Sequence, residues 1–350
     1  MDNIKKYQII NASQISREKW QDFTDNNENC NIFSTPYMYD VWNETPGYRA
    51  FAFFAIDRNE EIKGILSGCL ETVSPGILGK ISTRAVLMQA PVALDDEALS
   101  TLLKHYINFM KRKAVYTEIR NNYDTSNQRH IYEELGFHYE EHLNIIVDLS
   151  QRENILWEQI HPSRRKNIKK AIKNGVFVSK LTNDYLVESY SIMKEVYNRI
   201  KLPLPSILFF ENALQKSTQN MGMIIYGVFL TDKLIGIRFT LQYKDTVFGL
   251  FAGSISKYYD KHPNDIFPWE VFKLCKKEGK TVFDFGGAGK PNVPYGVRDY
   301  KMSFGGKLVN YGRYTLVHNP LKMKLAEAGF KSLQKIKCIK TILQSKNTKL

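Results

Sequence analysis

The sequence contains one pattern of predicted elements twice, and this repeat limits the fold more than any other feature. In each half, an apolar strand, a polar turn and a second strand follow one another, and the second strand has an early glycine, Gly64 or Gly236, 172 residues apart. A predicted helix then leads into a strand that carries Glu118 in the first half and Asp284 in the second, 166 residues apart. Nearly equal offsets at unrelated landmarks indicate an internal duplication.

A third landmark supports the duplication. Gly136 and Gly305, about 169 residues apart, each precede a predicted closing strand. The three offsets predict two copies of one α/β (α+β) unit, made of an antiparallel hairpin, a helix, a strand and a closing strand. We therefore expect two tandem lobes, each a mixed, largely antiparallel sheet flanked by helices, over residues 1–150 and 151–320. A basic helical tail follows over residues 321–350.

The positive charge of the chain is concentrated in two segments. The chain has 350 residues, which suggests two domains, and its net charge is +13. Residues 161–180 and 321–350 hold fifteen of the 49 Lys and Arg residues and one of the 36 Asp and Glu residues. Each segment carries +7, so the rest of the chain is close to neutral. Such local stripes indicate contact with anionic partners.

The remaining composition favours a cytoplasmic protein without a metal site. The hydrophobic and charged fractions, 43% and 24%, are ordinary for a folded protein and exclude a disordered chain. No apolar run approaches the roughly 18 residues that span a bilayer, and the N-terminus lacks the apolar core of a signal peptide. Cysteines and histidines show no zinc, redox or paired-ligand spacing. The cysteines are therefore expected to be reduced and mostly buried.

The first basic segment predicts an amphipathic helix. Arg165, Lys169 and Lys173 recur at i, i+4 and i+8 on one face, opposite an apolar face. Ser163 is the predicted N-cap and Gly175 the predicted end. The cationic face suits a phosphate backbone or anionic lipid headgroups. A charged helix that faces only solvent has the same pattern.

The tail combines lysines with an apolar stripe formed by Leu325, Leu333, Ile336, Ile339 and Leu343. Such a helix can lie on an anionic membrane surface, or it can pack on the body with its lysines outward. The first alternative predicts peripheral contact with the inner face of the membrane.

A strand that ends in glycines is the first candidate for chemistry. Asp284 is followed by Gly286 and Gly287, whose bare backbone N–H groups can approach a ligand closely. Pro291 stands where a phosphate-binding P-loop needs Ser or Thr, so that motif is excluded. Asp284 is a candidate general base, although a carboxylate at a strand end also commonly fixes a turn.

The segment after the glycines is the densest cluster of candidate residues. Tyr295, Arg298, Tyr300 and Lys301 follow within a few positions. Arg298 and Lys301 are three residues apart, so one helical turn places both cations on one side. They could hold a phosphate or stabilise a developing oxyanion. An exposed turn is the alternative.

Four groups of motifs, in order over about residues 150–310, carry a family resemblance. They are Trp157 with Arg164–Ala171 and Asn174–Val176; Arg199–Ser206 with Phe209-Phe210; Phe251–Ser254 with Pro263-Asn264 and Trp269; and Phe283–Gly287 with Gly296–Lys301 and Phe304–Gly306. Together they resemble the Fem family of peptidoglycan-bridge aminoacyltransferases, within the GNAT superfamily of acyl-CoA N-acyltransferases. The first half of the chain resembles that family more faintly.

The resemblance implies an enzyme in which an amine attacks an activated acyl group, in a cleft between two GNAT-like lobes. Lys301 matches the lysine of the family's aromatic–lysine pair, with Tyr300 as the aromatic residue, and Asp284 is the candidate base. The implied donor and substrate contacts are Arg164, Arg165, Lys169, Arg199, Ser254, Gly286, Gly287, Tyr295 and Arg298.

The implied partners follow from the family. The acceptor is an amine of a cell-envelope precursor or glycan, and no tightly bound cofactor is expected. The co-substrate is acyl-CoA or aminoacyl-tRNA, and both stay open because the usual GNAT pyrophosphate loop is missing from both halves. The alternative function is a non-catalytic protein that binds RNA or anionic membrane through its two basic segments.

Overall fold

The computed structural model describes residues 6–72 and 83–325. The strands of the first half are β1 (Gln8–Asn11), β2 (Tyr48–Ile56), β3 (Ile62–Thr72), β4 (Thr83–Leu87), β5 (Val92–Ala93), β6 (Tyr116–Arg120), β7 (His138–Glu140) and β8 (Leu143–Asp148). Those of the second half are β9 (Val176–Leu181), β10 (Gly222–Leu230), β11 (Lys233–Tyr243), β12 (Thr246–Ser254), β13 (Val282–Gly287), β14 (Lys307–Asn310) and β15 (Arg313–Val317).

Helices cover both sheets. They are α1 (Arg17–Asn26), α2 (Pro36–Asn43), α3 (Asp96–Met110), α4 (Arg129–Glu134), α5 (Glu153–Gln159), α6 (Pro162–Lys173), α7 (Leu186–Ile200), α8 (Ile207–Gln215), α9 (Pro263–Lys277) and α10 (Gly296–Met302). Short 3₁₀ helices lie at Ile32–Ser34, Ser126–Gln128, Asn183–Tyr185 and Ser256–Lys261.

The strands form two mixed, largely antiparallel sheets, which confirms the predicted fold class. The first sheet has the order β1-β2-β3-β4-β6-β15-β7, with β5 on β3, and the second has the order β14-β8-β13-β12-β11-β10-β9. Among the described strands, each sheet has one parallel pair, β4 with β6 and β12 with β13. Helix α3 precedes the second strand of the first pair, and α9 that of the second, so the units repeat as expected.

The early glycines of the repeat hold equivalent places. Gly64 on β3 pairs with Ala55, and Gly236 on β11 pairs with Val228, each next to a bulge in its hairpin. A Cβ atom on Gly64 would lie 2.8 Å from Leu102, and one on Gly236 would lie 2.5 Å from the Ser254 hydroxyl. Close packing on the sheet therefore explains both landmarks.

The two sheets exchange their closing strands, which the sequence analysis did not anticipate. Strand β8 lies between β13 and β14 of the second sheet, and β15 lies between β6 and β7 of the first. The expectation that each unit closes its own sheet was wrong. An alternating strand such as β8, with Leu143, Ile145 and Val147 buried, suits either sheet, so its pattern carries no information about its partner. The ranges 1–150 and 151–320 stay a prediction for the domains, and each contributes a strand to the other's sheet.

The halves also share a hydrophobic core. Phe33 packs edge-on against Phe248, with ring centroids 5.6 Å apart. The Tyr37 hydroxyl donates to the backbone oxygen of Ala213 at 2.7 Å, and the Tyr243 hydroxyl donates to Thr24 at 3.2 Å. The lobes are therefore held together by buried contacts as well as by exchanged strands.

The basic tail falls largely outside the described residues. Residues 320–325 are helical, and the predicted stripe from Leu333 to Leu343 lies beyond them. Within the described ranges, no helix is both long and apolar enough to cross a bilayer. Cys30, Cys69 and Cys275 are buried and free, as expected, and Cys338 lies outside the described part of the chain.

Candidate active site

The second sheet opens between its two parallel strands. Thr246–Phe248 of β12 pair with Val282–Asp284 of β13, and the pairing ends there. Beyond that point β12 continues along β11, and β13 continues along β8 as far as Gly287. A bulge between Phe239 and Thr240 bends the β11–β12 ladder at the same level. The diverging edges leave backbone groups free to meet a ligand.

The ammonium group of Lys301 lies at this opening. Its Nζ donates to the backbone oxygens of Phe285 and Gly287, at 2.7 Å each. Both carbonyls belong to the part of β13 that no longer pairs with β12. Burial lowers the pKa of Lys301 to about 8, with a further lowering from the nearby Arg238 cation, while Asp284 opposes the shift. The structure thus places a partly buried cation where the strands separate.

Asp284 occupies the last paired position before the opening. The residue is 5% exposed, and its Oδ1 accepts a 2.6 Å hydrogen bond from the backbone N–H of Gly286. Gly286 has φ +72°, a conformation that favours glycine and closes this turn. Burial raises the pKa of Asp284 to about 6, against the lowering effects of the Gly286 bond and Lys301. A carboxyl with this pKa can accept a proton near neutral pH.

The glycine loop after β13 is held by α10. The Arg298 guanidinium donates to the backbone oxygens of Lys290 and Val293, at 2.7 and 2.5 Å. Arg298 and Lys301 therefore both bond to carbonyls of this loop and strand end. Tyr295, at the start of α10 and 41% exposed, lies against Gly289.

Asn264 accepts hydrogen bonds from two predicted site residues, Tyr300 and Ser254. Its backbone oxygen accepts a 2.7 Å bond from the Tyr300 hydroxyl, and its side-chain oxygen accepts a 2.9 Å bond from Ser254. Arg164 reaches the same region, where it pairs with Asp265 at 2.7 Å and lies 5.2 Å from the centre of the Tyr300 ring. Arg164 thus anchors α6 on α9 and α10, away from the exposed face of α6.

Arg165 and Lys169 lie on that exposed face, apart from the opening. They line a shallow groove of about 580 Å³, with the remaining lining from Trp157, Pro162, Lys166, Lys170 and Lys173. None of its five cations forms an ion pair within the described residues. The Lys169 ammonium lies 6.0 Å from the centre of the Trp157 ring.

Arg199 also lies apart from the opening. It is near the end of α7, where it donates to the Tyr259 hydroxyl at 2.6 Å and lies 3.9 Å from Glu195. The structure therefore brings Asp284, Gly286, Gly287 and Lys301 together, with Tyr300, Ser254 and Arg164 around Asn264 and Asp265.

Arg238 is a residue that sequence reasoning missed. Its guanidinium is buried, with 6% of the residue exposed, and its Nε has no hydrogen-bond partner in the described part of the chain. It lies 5.4 to 5.8 Å from the centres of the rings of Phe267, Phe283 and Phe285. Burial lowers its pKa. A lone charge inside the apolar run Leu234–Tyr243 was the signal that could have identified it.

Two adjoining cavities lie between β13 and the first lobe. The smaller, of about 120 Å³, is lined by Met88, Arg120, Asn121 and Asn144 from the first half and by Gly287 and Arg313 from the second. The larger, of about 310 Å³, extends towards Asn29, Asn31 and Tyr311. Asp284, Asn122 and Phe248 line both. We call the pair the interlobe cavity. Across the described ranges, no group of His, Cys, Asp and Glu residues is arranged to hold a metal ion.

Comparison with known proteins supports the two-lobed fold. Residues 162–302 match the family described as the acetyltransferase (GNAT) domain. No curated protein matches the chain by sequence. Among the solved structures that share its fold over most of both chains, three illustrate the similarity, each at low sequence identity.

The first of these structures is FemX, 15% identical, with a TM-score of 0.71, covering 91% of this chain and 99% of its own. L-PGS from Bacillus licheniformis is 14% identical, with a TM-score of 0.56, over 86% of this chain and 91% of its own. A tandem GNAT protein from the clavulanic acid biosynthesis pathway is 9% identical, with a TM-score of 0.57, over 90% of this chain and 99% of its own. Residues 162–302 therefore match a GNAT domain, and the chain as a whole has the Fem-like, two-lobed fold of these structures.

Proposed function

We propose that the protein is an N-acyltransferase or aminoacyltransferase that moves an activated acyl group to an amine of a cell-envelope precursor or glycan. One observation carries the proposal: the Lys301 ammonium lies in the opening between β12 and β13, next to Asp284 with a pKa of about 6. The GNAT-domain match over residues 162–302 supports the same reaction class.

The two groups suit the two charge changes of acyl transfer. The amine forms a C–N bond to the acyl carbonyl, and negative charge develops on the carbonyl oxygen. Lys301, supported by the buried Arg238 cation, stabilises that charge or a phosphate of the donor. Asp284 accepts the proton that the amine loses. The sulfur or oxygen of the donor leaves with the electron pair of the acyl bond and takes up that proton from Asp284. Tyr300 and Ser254 position this end of the sheet through Asn264.

The donor is acyl-CoA or aminoacyl-tRNA. The GNAT domain favours acyl-CoA, whereas the resemblance of the motifs to the Fem family favours an aminoacyl donor. Thermal shift measurements with acetyl-CoA, longer acyl-CoAs and charged tRNA separate the two, because the true donor stabilises the folded protein. Mass spectrometry of envelope precursors incubated with each donor then gives the mass of the transferred group.

The test of the site is Lys301→Met. We expect it to lower transfer about 10²–10³-fold, the effect of removing one stabilising group from a developing oxyanion. It also leaves two backbone carbonyls without a donor, at a cost of about 1–3 kcal/mol in the free energy of unfolding.

Lys276→Met is the matched control. Lys276 is a partly buried lysine whose ammonium donates to the backbone oxygens of Leu149 and Gln151, away from the opening. It should lose similar stability and keep wild-type transfer. Equal activity of the Lys301 and Lys276 variants would refute the assignment of Lys301.

A non-catalytic role is the second candidate, favoured by the unpaired cations on α6. It predicts salt-dependent binding of RNA or anionic vesicles without transfer from any donor.

A further inference from the structure

The smaller end of the interlobe cavity contains two arginines joined by one carboxylate. Glu118 Oε1 lies 2.7 Å from both Arg120 Nε and Arg313 Nη1. Arg120 belongs to β6, and Arg313 to the exchanged strand β15 that lies beside it. The Glu118 side chain is 15% exposed, and the arginines lower its pKa although burial opposes them. The ionised group of three carries a net charge of +1.

Both arginines keep hydrogen-bonding capacity towards the cavity. Arg120 uses Nε for Glu118 and places Nη1 3.3 Å from the Met88 sulfur. Arg313 uses Nη1 for Glu118, and its Nη2 would lie 3.4 Å from a Cβ atom on Gly287, which also lines the cavity. A single carboxylate cannot satisfy ten guanidinium N–H groups, so the pair can still receive an anion.

Adjacent asparagines have buried polar atoms without partners. Asn122 lines both parts of the cavity, and neither its Oδ1 nor its Nδ2 has a hydrogen-bond partner among the described residues. Asn121, 3% exposed, leaves its Oδ1 without a partner while its Nδ2 bonds to the backbone oxygen of Tyr311. A buried polar atom without a partner costs about 1–3 kcal/mol. Water or a ligand in the cavity would satisfy these atoms.

We propose that this end of the interlobe cavity binds a carboxylate of the amine acceptor through Arg120 and Arg313, with Asn122 bonding to the group beside it. The inference rests on the proposed acyl transfer for the identity of the ligand as acceptor. A net charge of +1 matches a monoanion better than a phosphate dianion, and two guanidinium forks fit the planar carboxylate.

The position of Asp284 completes the assignment. It lines the same cavity and lies three residues from Gly287 on β13, so about 10 Å at most separates their backbones. An acceptor that holds its carboxylate at Arg313 therefore presents its amine near Asp284. The acceptor class is a molecule with an amine and a carboxylate a few bonds apart. The small cavity, at about 120 Å³, has room for about four waters and thus for such a polar group.

The test is a binding measurement on the full chain without an acyl donor. The probe is 6-aminohexanoate, and hexylamine is the matched amine that lacks a carboxylate. We expect saturable binding of 6-aminohexanoate by calorimetry, at least tenfold weaker binding of hexylamine, and at least tenfold weaker binding of 6-aminohexanoate after Arg120→Met or Arg313→Met. Asn122→Ala, which removes no side-chain hydrogen bond within residues 6–72 and 83–325, should weaken binding about fivefold with an unchanged melting temperature.

Arg84→Met is the control for loss of an ion pair. Arg84 pairs with Glu71 at 2.7 Å in the same sheet and lies outside the lining of the cavity. It should bind the probe as the wild type does.

Three results would overturn the proposal: equal binding of hexylamine, unchanged binding after Arg120→Met, or inorganic phosphate displacing the probe at equal concentration. The binding measurement contains no acyl donor. A negative binding result therefore does not affect the conclusion from the Lys301 variant, and a negative transfer result does not affect the conclusion from binding.

Discussion

At the scale of single residues, the site is defined by charged groups held in apolar surroundings. Lys301, Arg238 and Asp284 are all buried or partly buried around one strand, and burial is the largest influence on the pKa of each. Burial disfavours the charged form of every one of them. Such groups are costly to stability, which is typical of residues that serve a reaction.

Asp284→Asn should therefore stabilise the protein at neutral pH while it lowers activity. The folded-state pKa of about 6 lies above the ordinary value of 3.8, so between these pH values the folded protein keeps a proton that the unfolded chain has lost. Stability then falls as pH rises through this window. A pKa difference of about two units corresponds to about 3 kcal/mol, which is the expected scale of the increase in the free energy of unfolding. The variant keeps an oxygen to accept the Gly286 bond.

Thermal melts from pH 4 to pH 8 measure this effect. The variant should match the wild type near pH 4 and exceed it above pH 6. In the wild type, transfer should rise with pH through an apparent pKa near 6. An Asn variant that is less stable than the wild type at pH 7 would show that the Gly286 bond and Lys301 compensate fully for the burial of the carboxylate.

At the scale of elements, local sequence predicted some features and missed others for identifiable reasons. The glycine turn after Asp284 and the helix that carries Lys301 are formed by interactions between residues close in the sequence. The local sequence was therefore sufficient to predict them. The prediction that Ser163 is the N-cap of α6 was wrong. The N-cap is His161, whose Nδ1 accepts from the Ser163 N–H at 3.3 Å, because Pro162 takes the first helical position. The interlobe cavity could not be predicted, since Arg120 and Arg313 meet only through the strand exchange.

Helix α6 gives the prediction that belongs to this scale. Replacement of Arg165, Lys169 and Lys173 by Glu should weaken binding of tRNA. The slope of the logarithm of the association constant against the logarithm of the salt concentration should become shallower by about 2–3, or by more if the new carboxylates repel the phosphates. The stability should change little because these side chains form no ion pairs within the described residues. Trp157 in the same groove offers a ring for a base to stack on.

The matched control reverses three exposed cations elsewhere, Lys104, Lys111 and Arg112. Equal losses of tRNA binding in both triple variants would show a general charge effect and remove the special role of α6. Binding of anionic vesicles that depends on α6, without tRNA binding, would favour the membrane alternative.

At the scale of the whole molecule, the exchanged strands make the lobes interdependent. Without β8, the second sheet loses the strand between β13 and β14, and β13 loses a neighbour at the candidate active site. Without β15, the first sheet loses the strand between β6 and β7, together with Arg313 of the interlobe cavity. The duplication was evident from the sequence, whereas the exchange depends on contacts more than 130 residues apart in the chain, such as Asp284 with Ile146 and Arg313 with Arg120.

We therefore expect the full chain to unfold in one cooperative transition and its halves to depend on each other. Expressed alone, residues 1–150 and 151–350 should each lack a cooperative thermal transition, because each leaves sheet edges unpaired and apolar core exposed. Co-expression should restore a 1:1 complex that melts as one unit, measured by calorimetry and gel filtration. A soluble, cooperatively melting half would show that the exchanged strand is dispensable for its sheet. The same complex, if it binds 6-aminohexanoate while neither half does, would show that the interlobe cavity needs strands from both halves of the chain.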